Sequence, residues 1–328
     1  MIHDARKTGK NTHFEKQKKP KTMNRKPHIA VVGAANIDLT AMPHTKYIPQ
    51  DSCPGSIAIS YGGVGRNIAH NLVLMGCEVS LVTVFGEDEF AAQLKRDCKR
   101  LGMDIQQAAT IPGAKSSMYV CVNNEKGELM SAVAAMDITQ CLTPEFLSTR
   151  IDMLNACDAV VFDANLTTES VAYLLDNCKV PLFADTVSSA KSHNIFNALD
   201  GMRSLHTLKL NRLEAQELFV TQDPDITDFE AVANLLHQKG VKRIFITLGA
   251  KGCYYHDAEG GRQLPCENVP VVNTSGAGDA FLSGAIFAYF KGLDTESTLK
   301  CALRAAAFTV QHLEAVNPEM NEKYVLNE

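Results

Sequence analysis

Asn273-Thr274-Ser275-Gly276-Ala277-Gly278-Asp279 runs directly into an apolar, helix-length stretch, Ala280–Phe290. Glycines just before a helix let the backbone approach a ligand closely, and the first N–H groups of the helix have no partners inside it. A helix start of this kind holds anions. Asp279 stands at the edge of the nest of N–H groups, placed to accept a proton from a hydroxyl attacking a bound phosphate. No Gly-Lys-Ser/Thr follows the glycines, which excludes a Walker-type loop. A plainer reading stays open here: a glycine-rich turn whose Asp279 charge only steadies the helix start.

Two further glycine turns lie upstream. Gly62-Gly63-Val64-Gly65-Arg66-Asn67 opens a helix that continues through Ile68, Leu72 and Met75 to Gly76. Gly33-Ala34-Ala35-Asn36-Ile37-Asp38 closes a first apolar strand and offers an amide and a carboxylate for hydroxyl recognition. Either pattern alone is an ordinary βα turn.

From His28 onward, short apolar runs alternate with helix-period segments. The runs His28–Val32, Val79–Phe85, Ala159–Phe162, Val180–Ala184 and Arg243–Leu248 are predicted strands. A helix is predicted from Glu89 to Leu101 with Gly102 as its stop, and another opens at the capping-box pattern Thr227-Asp228-Phe229-Glu230 and ends near Gly240. This alternation predicts an α/β fold, a mostly parallel central sheet with helices on both faces. Ligands in such sheets gather at the carboxyl ends of the strands. Residues 56–60 and 116–134 break the pattern and read as extended segments, with a hairpin turn at Asn123–Gly127. They predict a small β-sheet projecting from the main domain.

A chain of 328 residues with 45% hydrophobic and 21% charged residues is long enough to bury a large core. Its net charge of −5 argues against nucleic-acid binding by the main body. No apolar run reaches the roughly 18–20 residues that span a bilayer. The ten cysteines include no C-x-x-C pair and read as reduced thiols of a cytoplasmic protein. Residues 1–27 hold nine Lys and Arg against Asp4 and Glu15 and no apolar stretch, so a disordered basic tail is expected rather than a secretion signal.

Taken together these motifs resemble the ribokinase-like (PfkB) carbohydrate kinase family. Its first signature fits from Gly62 through Asn67, Ala69 and Gly76 to Gly86, and its second from Asn273 to Asp279 and Gly284. Lys209-Leu210-Asn211-Arg212-Leu213-Glu214 resembles the family's N-x-x-E motif, and Thr247-Leu248-Gly249-Ala250-Lys251-Gly252 its nucleotide turn. The likeness covers roughly residues 28–318. It implies a three-layer sandwich as one kinase domain over 28–326, with a β-lid near 39–62 and 113–136. It implies Asp279 as general base, with Gly276, Ala277 and Gly278 as anion hole. Asn36, Asp38, Gly63 and Asn67 become substrate contacts. Asn211, Thr247, Gly249 and Gly252 fall to the nucleotide, and Glu214 to Mg²⁺ through water. ATP and a small molecule are the implied partners, and the lid of this family often also joins two copies into a homodimer. For Asp279 the helix start predicts a pKa near or below the free value.

Within the family the G-G-V-G-R-N form, Met136-Asp137-Ile138, Asp185-Thr186-Val187-Ser188 and Glu314–Pro318 most resemble the pseudouridine-phosphorylating members. That resemblance adds Asp137 to the substrate site and Lys191 to the nucleotide site. Two positions depart from the pattern. Thr186 stands where those members carry Pro, and Asn273 where most members carry an Asp that shapes a monovalent-cation loop, which leaves potassium dependence open. Ribokinase, another nucleoside kinase, a fructokinase and a non-catalytic sugar or nucleoside sensor remain as alternatives.

Overall fold

The sequence His28-Ile29-Ala30-Val31-Val32 alternates its side chains between two helical layers. Ile29 and Val31 belong to one apolar core with Ile68, Leu72, Leu282 and Ile286, while Ala30 and Val32 belong to a second with Val171, Leu174, Ile195 and Leu236. A strand buried on both faces in this way needs no polar alternation, which is why it reads as an unbroken apolar run. Each fully buried Val, Ile or Leu contributes about 2 kcal/mol before the entropy of ordering is set against it.

The computed structural model describes residues 25–218 and 228–328. Its strands are β1 (His28–Val32), β2 (Asn36–Pro43), β3 (Gly55–Gly62), β4 (Glu78–Val82), β5 (Val84–Phe85), β6 (Ala109–Thr110), β7 (Met118–Asn123), β8 (Leu129–Ala135), β9 (Ala159–Asp163), β10 (Leu182–Asp185), β11 (Leu205–Asn211), β12 (Val241–Thr247), β13 (Cys253–Asp257) and β14 (Gly260–Leu264). Eight of them form the central sheet in the order β14-β13-β12-β11-β10-β9-β1-β4. Pairing is parallel from β4 across to β12 and antiparallel for β12–β13 and β13–β14. The expected three-layer α/β sandwich is therefore present.

Several boundaries moved. The expected strand Val79–Phe85 is split: β4 joins the central sheet, while β5 pairs with β6. Strand β11 and the β13–β14 hairpin were not among the expected strands. The helix Glu89–Arg100 is capped by Asp88, whose Oδ1 accepts from Ala91 N at 2.8 Å. The helix Phe229–Gln238 is capped by Asp228 at 3.1 Å, while Thr227 lies outside the described residues. Most of the basic segment, residues 1–24, also lies outside them. Arg25 already belongs to the domain, donating to both oxygens of Asp158 at 2.7 and 2.8 Å.

The second sheet has the order β3-β2-β7-β8 and forms the projecting lid. The expected hairpin turn is held by Asn124, whose Oδ1 accepts from Lys126 N and Glu128 N, each at 2.9 Å. Contrary to the reading of Asn36 and Asp38 as the end of the first strand, both lie on lid strand β2. Asp38 is opposite Ser60, and Leu39 opposite Ile59. One face of the lid thus carries Asp38, Thr40 and Ser60, and the other Leu39, Ile57, Ile59, Val120 and Val133.

Candidate active site

Parallel register sets Asp163, Asp185 and Lys209 side by side at the carboxyl ends of β9, β10 and β11. Lys209 is 6% exposed, and its Nζ lies 3.0 Å from Asp185 Oδ2. The approach is off the hydrogen-bonding direction, so Asp185 Oδ2 keeps no aligned donor. A buried lysine stays charged only beside negative charge. Burial pulls its pKa down, but Asp185, Glu214 and Asp279 outweigh it and hold it above the ordinary value.

Over this row lies the start of the helix Ala277–Phe290. Gly276 caps it in the left-handed region at φ 75°, a conformation that glycine adopts without strain. A Cβ on Gly276 would stand 1.8 Å from the carbonyl of Ala315, and one on Gly278 would stand 2.5 Å from Lys209 Nζ. The nest is therefore in contact with the Ala315 backbone on one side and the buried cation on the other. Asn273 braces it, donating from Nδ2 to the Leu313 carbonyl at 2.7 Å and accepting from Ser275 N at 2.9 Å.

Asp279 is buried, and its Oδ2 accepts from Asn67 Nδ2 at 2.9 Å. The expected low pKa is overturned. Burial first, and then the charge of Asp185, push it up to about 7, against the lowering effects of Asn67 and Lys209. The helix start alone would have lowered it, but desolvation outweighs a partial dipole charge. Asn67 Oδ1 is buried with no protein partner among the described residues. Asn67 follows Gly63, which caps the helix Val64–Leu74 at φ 99°. Asn36 Nδ2 donates to Asp38 Oδ1. Burial raises the Asp38 pKa to about 6, with Asn36 and Arg66 opposing that rise.

Asn211 and Glu214 are bonded reciprocally. Glu214 Oε1 accepts from Asn211 Nδ2 and Oε2 from Asn211 N, each at 2.7 Å, while Glu214 N donates to Asn211 Oδ1 at 2.9 Å. Thr186 Oγ1 donates to Glu214 Oε2 at 2.6 Å. With three donors in place and 1% exposure, Glu214 does not fit as a direct metal ligand. Glu214 Oε1, which accepts a single bond, and Asp185 Oδ2, which has no aligned donor, are the groups that would hold a hydrated Mg²⁺ through water. Thr247 is opposite Asn211 on β12, and Leu248–Gly252 closes the turn beyond it, with Leu248 N donating to Gly252 O at 2.8 Å.

Two further predicted residues, Lys191 and Asp137, lie on other elements. Lys191 donates to Asn165 Oδ1 just beyond the end of β9, near Asp163. Asp137 is exposed on the first turn of a 3-10 helix after β8, and Met136 precedes it.

Asp163 escaped the sequence reading. It is fully buried, and its Oδ2 accepts from Ala34 N and Gly65 N, each at 2.9 Å, while Oδ1 accepts from Asn165 N and Nδ2. One carboxylate thereby ties together the two glycine turns that carry Asn36, Asp38 and Asn67. Only its position at the end of an apolar strand could have marked it.

The sequence profile of pfkB family carbohydrate kinases matches residues 26–322. The chain belongs to the pfkB carbohydrate kinase family. A pseudouridine kinase of Escherichia coli (strain K12) is 31% identical to it over 308 residues, covering 93% of this chain and 97% of that protein. A guanosine-inosine kinase of Exiguobacterium acetylicum is 26% identical, covering 89% and 97%. The solved Arabidopsis thaliana ribokinase, complexed with ribose and ATP, superposes with a TM-score of 0.81 over 92% of this chain and 98% of that one. At 20% identity that likeness speaks for the fold. As a pfkB kinase the chain is a phosphotransferase acting on a hydroxyl group of a sugar or nucleoside, with ATP as the phosphate donor. Among the described residues no helix is long and apolar enough to cross a membrane.

Proposed function

We propose that this kinase transfers the γ-phosphate of ATP to the ribose 5′-hydroxyl of pseudouridine. The observation that carries the site assignment is the Asn67–Asp279 hydrogen bond, which joins the acceptor-side glycine turn to the proposed base. The substrate assignment is supported by the 31% identity, over nearly the whole chain, to the E. coli pseudouridine kinase.

In this reading Asn36, Asp38, Gly63 and Asn67 hold the ribose, with Asn67 Oδ1 as a ready acceptor. Asp279 takes the proton of the 5′-hydroxyl as its oxygen bonds to the γ-phosphorus. The bond from that phosphorus to the β,γ-bridging oxygen breaks, and ADP leaves. A carboxylate titrating near 7 is better matched to this task than a free aspartate. The N–H groups of Gly276, Ala277 and Gly278 meet the charge on the transferred phosphoryl group, and buried Lys209 beneath them adds to the same field. Asn211, Thr247, Gly249 and Gly252 line the nucleotide side. Lys191, close to Asp163, belongs with the acceptor side instead. Mg²⁺, held through water by Glu214 and Asp185, would neutralise charge on the phosphates. The amide of Asn273 already bonds the Leu313 carbonyl, which favours activity without an added monovalent cation.

Pseudouridine keeps a free N1–H that uridine lacks, and Asp137, at the lid's end, is the proposed acceptor for it. A site built to bond such a hydrogen rejects an analogue lacking it by roughly 10⁴ or more. The exposed apolar side chains Ile57, Ile59, Leu129, Met130 and Val133 make the lid the proposed homodimer contact. The test is Mg²⁺-ATP with pseudouridine, uridine, guanosine, ribose and fructose, each scored by kcat/KM. Pseudouridine should lead; uridine or ribose ahead of it would sink the substrate assignment and leave the kinase intact.

A further inference from the structure

Arg66 is the charged residue of the Gly62–Asn67 turn, yet it is only 4% exposed. Its Nη1 donates to the Tyr61 carbonyl at 2.6 Å, and its Nη2 pairs with Asp97 Oδ2 on the helix Glu89–Arg100. The other oxygen of Asp97 accepts from Arg100 Nη2 at 2.6 Å, so the anchor is itself fixed. The guanidinium carbon lies 5.8 Å from the centre of the Tyr61 ring, and the Tyr61 hydroxyl donates to Gln93 Oε1 at 3.3 Å.

Tyr61 is the residue before Gly62, where lid strand β3 returns to the body. In register Asn36 is opposite Gly62 and Asp38 opposite Ser60. A Cβ on Gly62 would stand 2.1 Å from Asp38 Oδ2, so this strand end lies flush against the Asp38 carboxylate. Farther out, residues 55–59 are exposed and are held by their pairing with β2. The inner end of the lid is thus bolted to a body helix while its outer end is not.

We propose that Arg66 is a positioning residue for the acceptor substrate: by fastening Tyr61 to Asp97 it fixes the lid's inner end, and with it Asp38. The inference rests on the reading of Asn36 and Asp38 as substrate contacts. Arg66 also lies close enough for its charge to oppose the burial that raises the Asp38 pKa. A planar fork reaches two partners in fixed directions, whereas an ammonium on a flexible stem cannot serve both with the same geometry.

The test compares Arg66→Lys and Arg66→Gln with the unmodified protein by steady-state kinetics, varying acceptor and ATP separately, with thermal melts alongside. Arg66→Lys should raise the acceptor KM about tenfold and leave the ATP KM within about twofold. Arg66→Gln should raise the acceptor KM further. A lesion of folding alone would lower active enzyme and kcat without splitting the two KM values. An acceptor KM unchanged in Arg66→Lys, or an equal rise for ATP, overturns the proposal. If Arg66→Gln does not fold, Arg66→Lys decides by itself. Both variants are scored on whichever compound of the five the unmodified protein phosphorylates best, so a wrong substrate and a wrong role for Arg66 give different results.

Discussion

Asn67 and Asp279, 212 residues apart in sequence, share a hydrogen bond of 2.9 Å between buried side chains. Each opens a helix after a glycine turn, and the two helices pack against each other, with Ser283 Oγ 3.3 Å from the Ile68 carbonyl. In the proposed mechanism the acceptor side and the phosphate side are therefore set by one helix pair.

The first prediction concerns catalysis at Asp279. Asp279→Asn should retain the fold and lose roughly 10²–10⁴ in turnover. In the unmodified enzyme the working form is the carboxylate, so kcat/KM should fall about tenfold per pH unit below pH 7. A loss under tenfold in the variant would remove Asp279 from the role of base.

A second prediction follows from the same burial, and its sign is opposite to that of activity. The folded-state pKa of Asp279 lies above the unfolded one, so below about pH 4 both states are protonated and nothing is lost. Between about pH 4 and 7 the unfolded chain ionises first, and stability falls as pH rises. The Asn variant lacks this titration, and Asp185 remains to pair Lys209. Asp279→Asn should therefore melt higher than the unmodified protein at pH 8, with the gap closing towards pH 4. A Tm difference independent of pH would show that the carboxylate is not held against burial.

Much of this arrangement was legible in the sequence, and the failures have physical causes. The glycine turns, the lid strands β3, β7 and β8 and the five apolar runs could be read because each is a local pattern. Strand β11 was missed because His206 and Lys209 interrupt its apolar run. Lys209 is tolerable inside because Asp185, on the neighbouring strand, lies 3.0 Å away and Glu214 and Asp279 add their charge, long-range facts that no window of sequence contains. The pKa of Asp279 was misjudged for the same reason, since the helix start is local and the burial is not. Asp163 acts through four bonds to residues beside it and far from it, and its own neighbourhood looks like an ordinary strand end.

The third prediction tests Glu214 and the unexpected Thr186. Glu214→Gln should raise the Mg²⁺ needed for half-maximal rate about tenfold, with the acceptor KM nearly unchanged. Thr186→Val removes one of three bonds to that carboxylate and should have a smaller effect, about threefold. Magnesium titrations that superimpose on those of the unmodified enzyme would take Glu214 out of the metal's surroundings.

The last prediction separates two glycines of the phosphate nest by what each faces. At Gly276 a methyl group would meet the Ala315 carbonyl at 1.8 Å, and the residue's φ of 75° is one that alanine adopts only with strain. Relief needs a backbone shift of about 1.5 Å to reach ordinary contact distance. The facing segment cannot easily yield, because Leu313 is tied to Asn273 and both Val316 and Asn317 are buried. At Gly278 the nearest atom is Lys209 Nζ at 2.5 Å, the end of a side chain that can retract by turning about its own bonds. Gly276→Ala should therefore lower Tm and reduce kcat/KM for ATP by roughly 10² or more, as expected when positioning groups move by about 1 Å. Gly278→Ala should keep its Tm within a few degrees and show its defect mainly in the ATP KM. Thermal melts and ATP-dependent rates on both variants decide the matter. Equal behaviour of the two would mean that the contact with Ala315 does not set the shape of the nest.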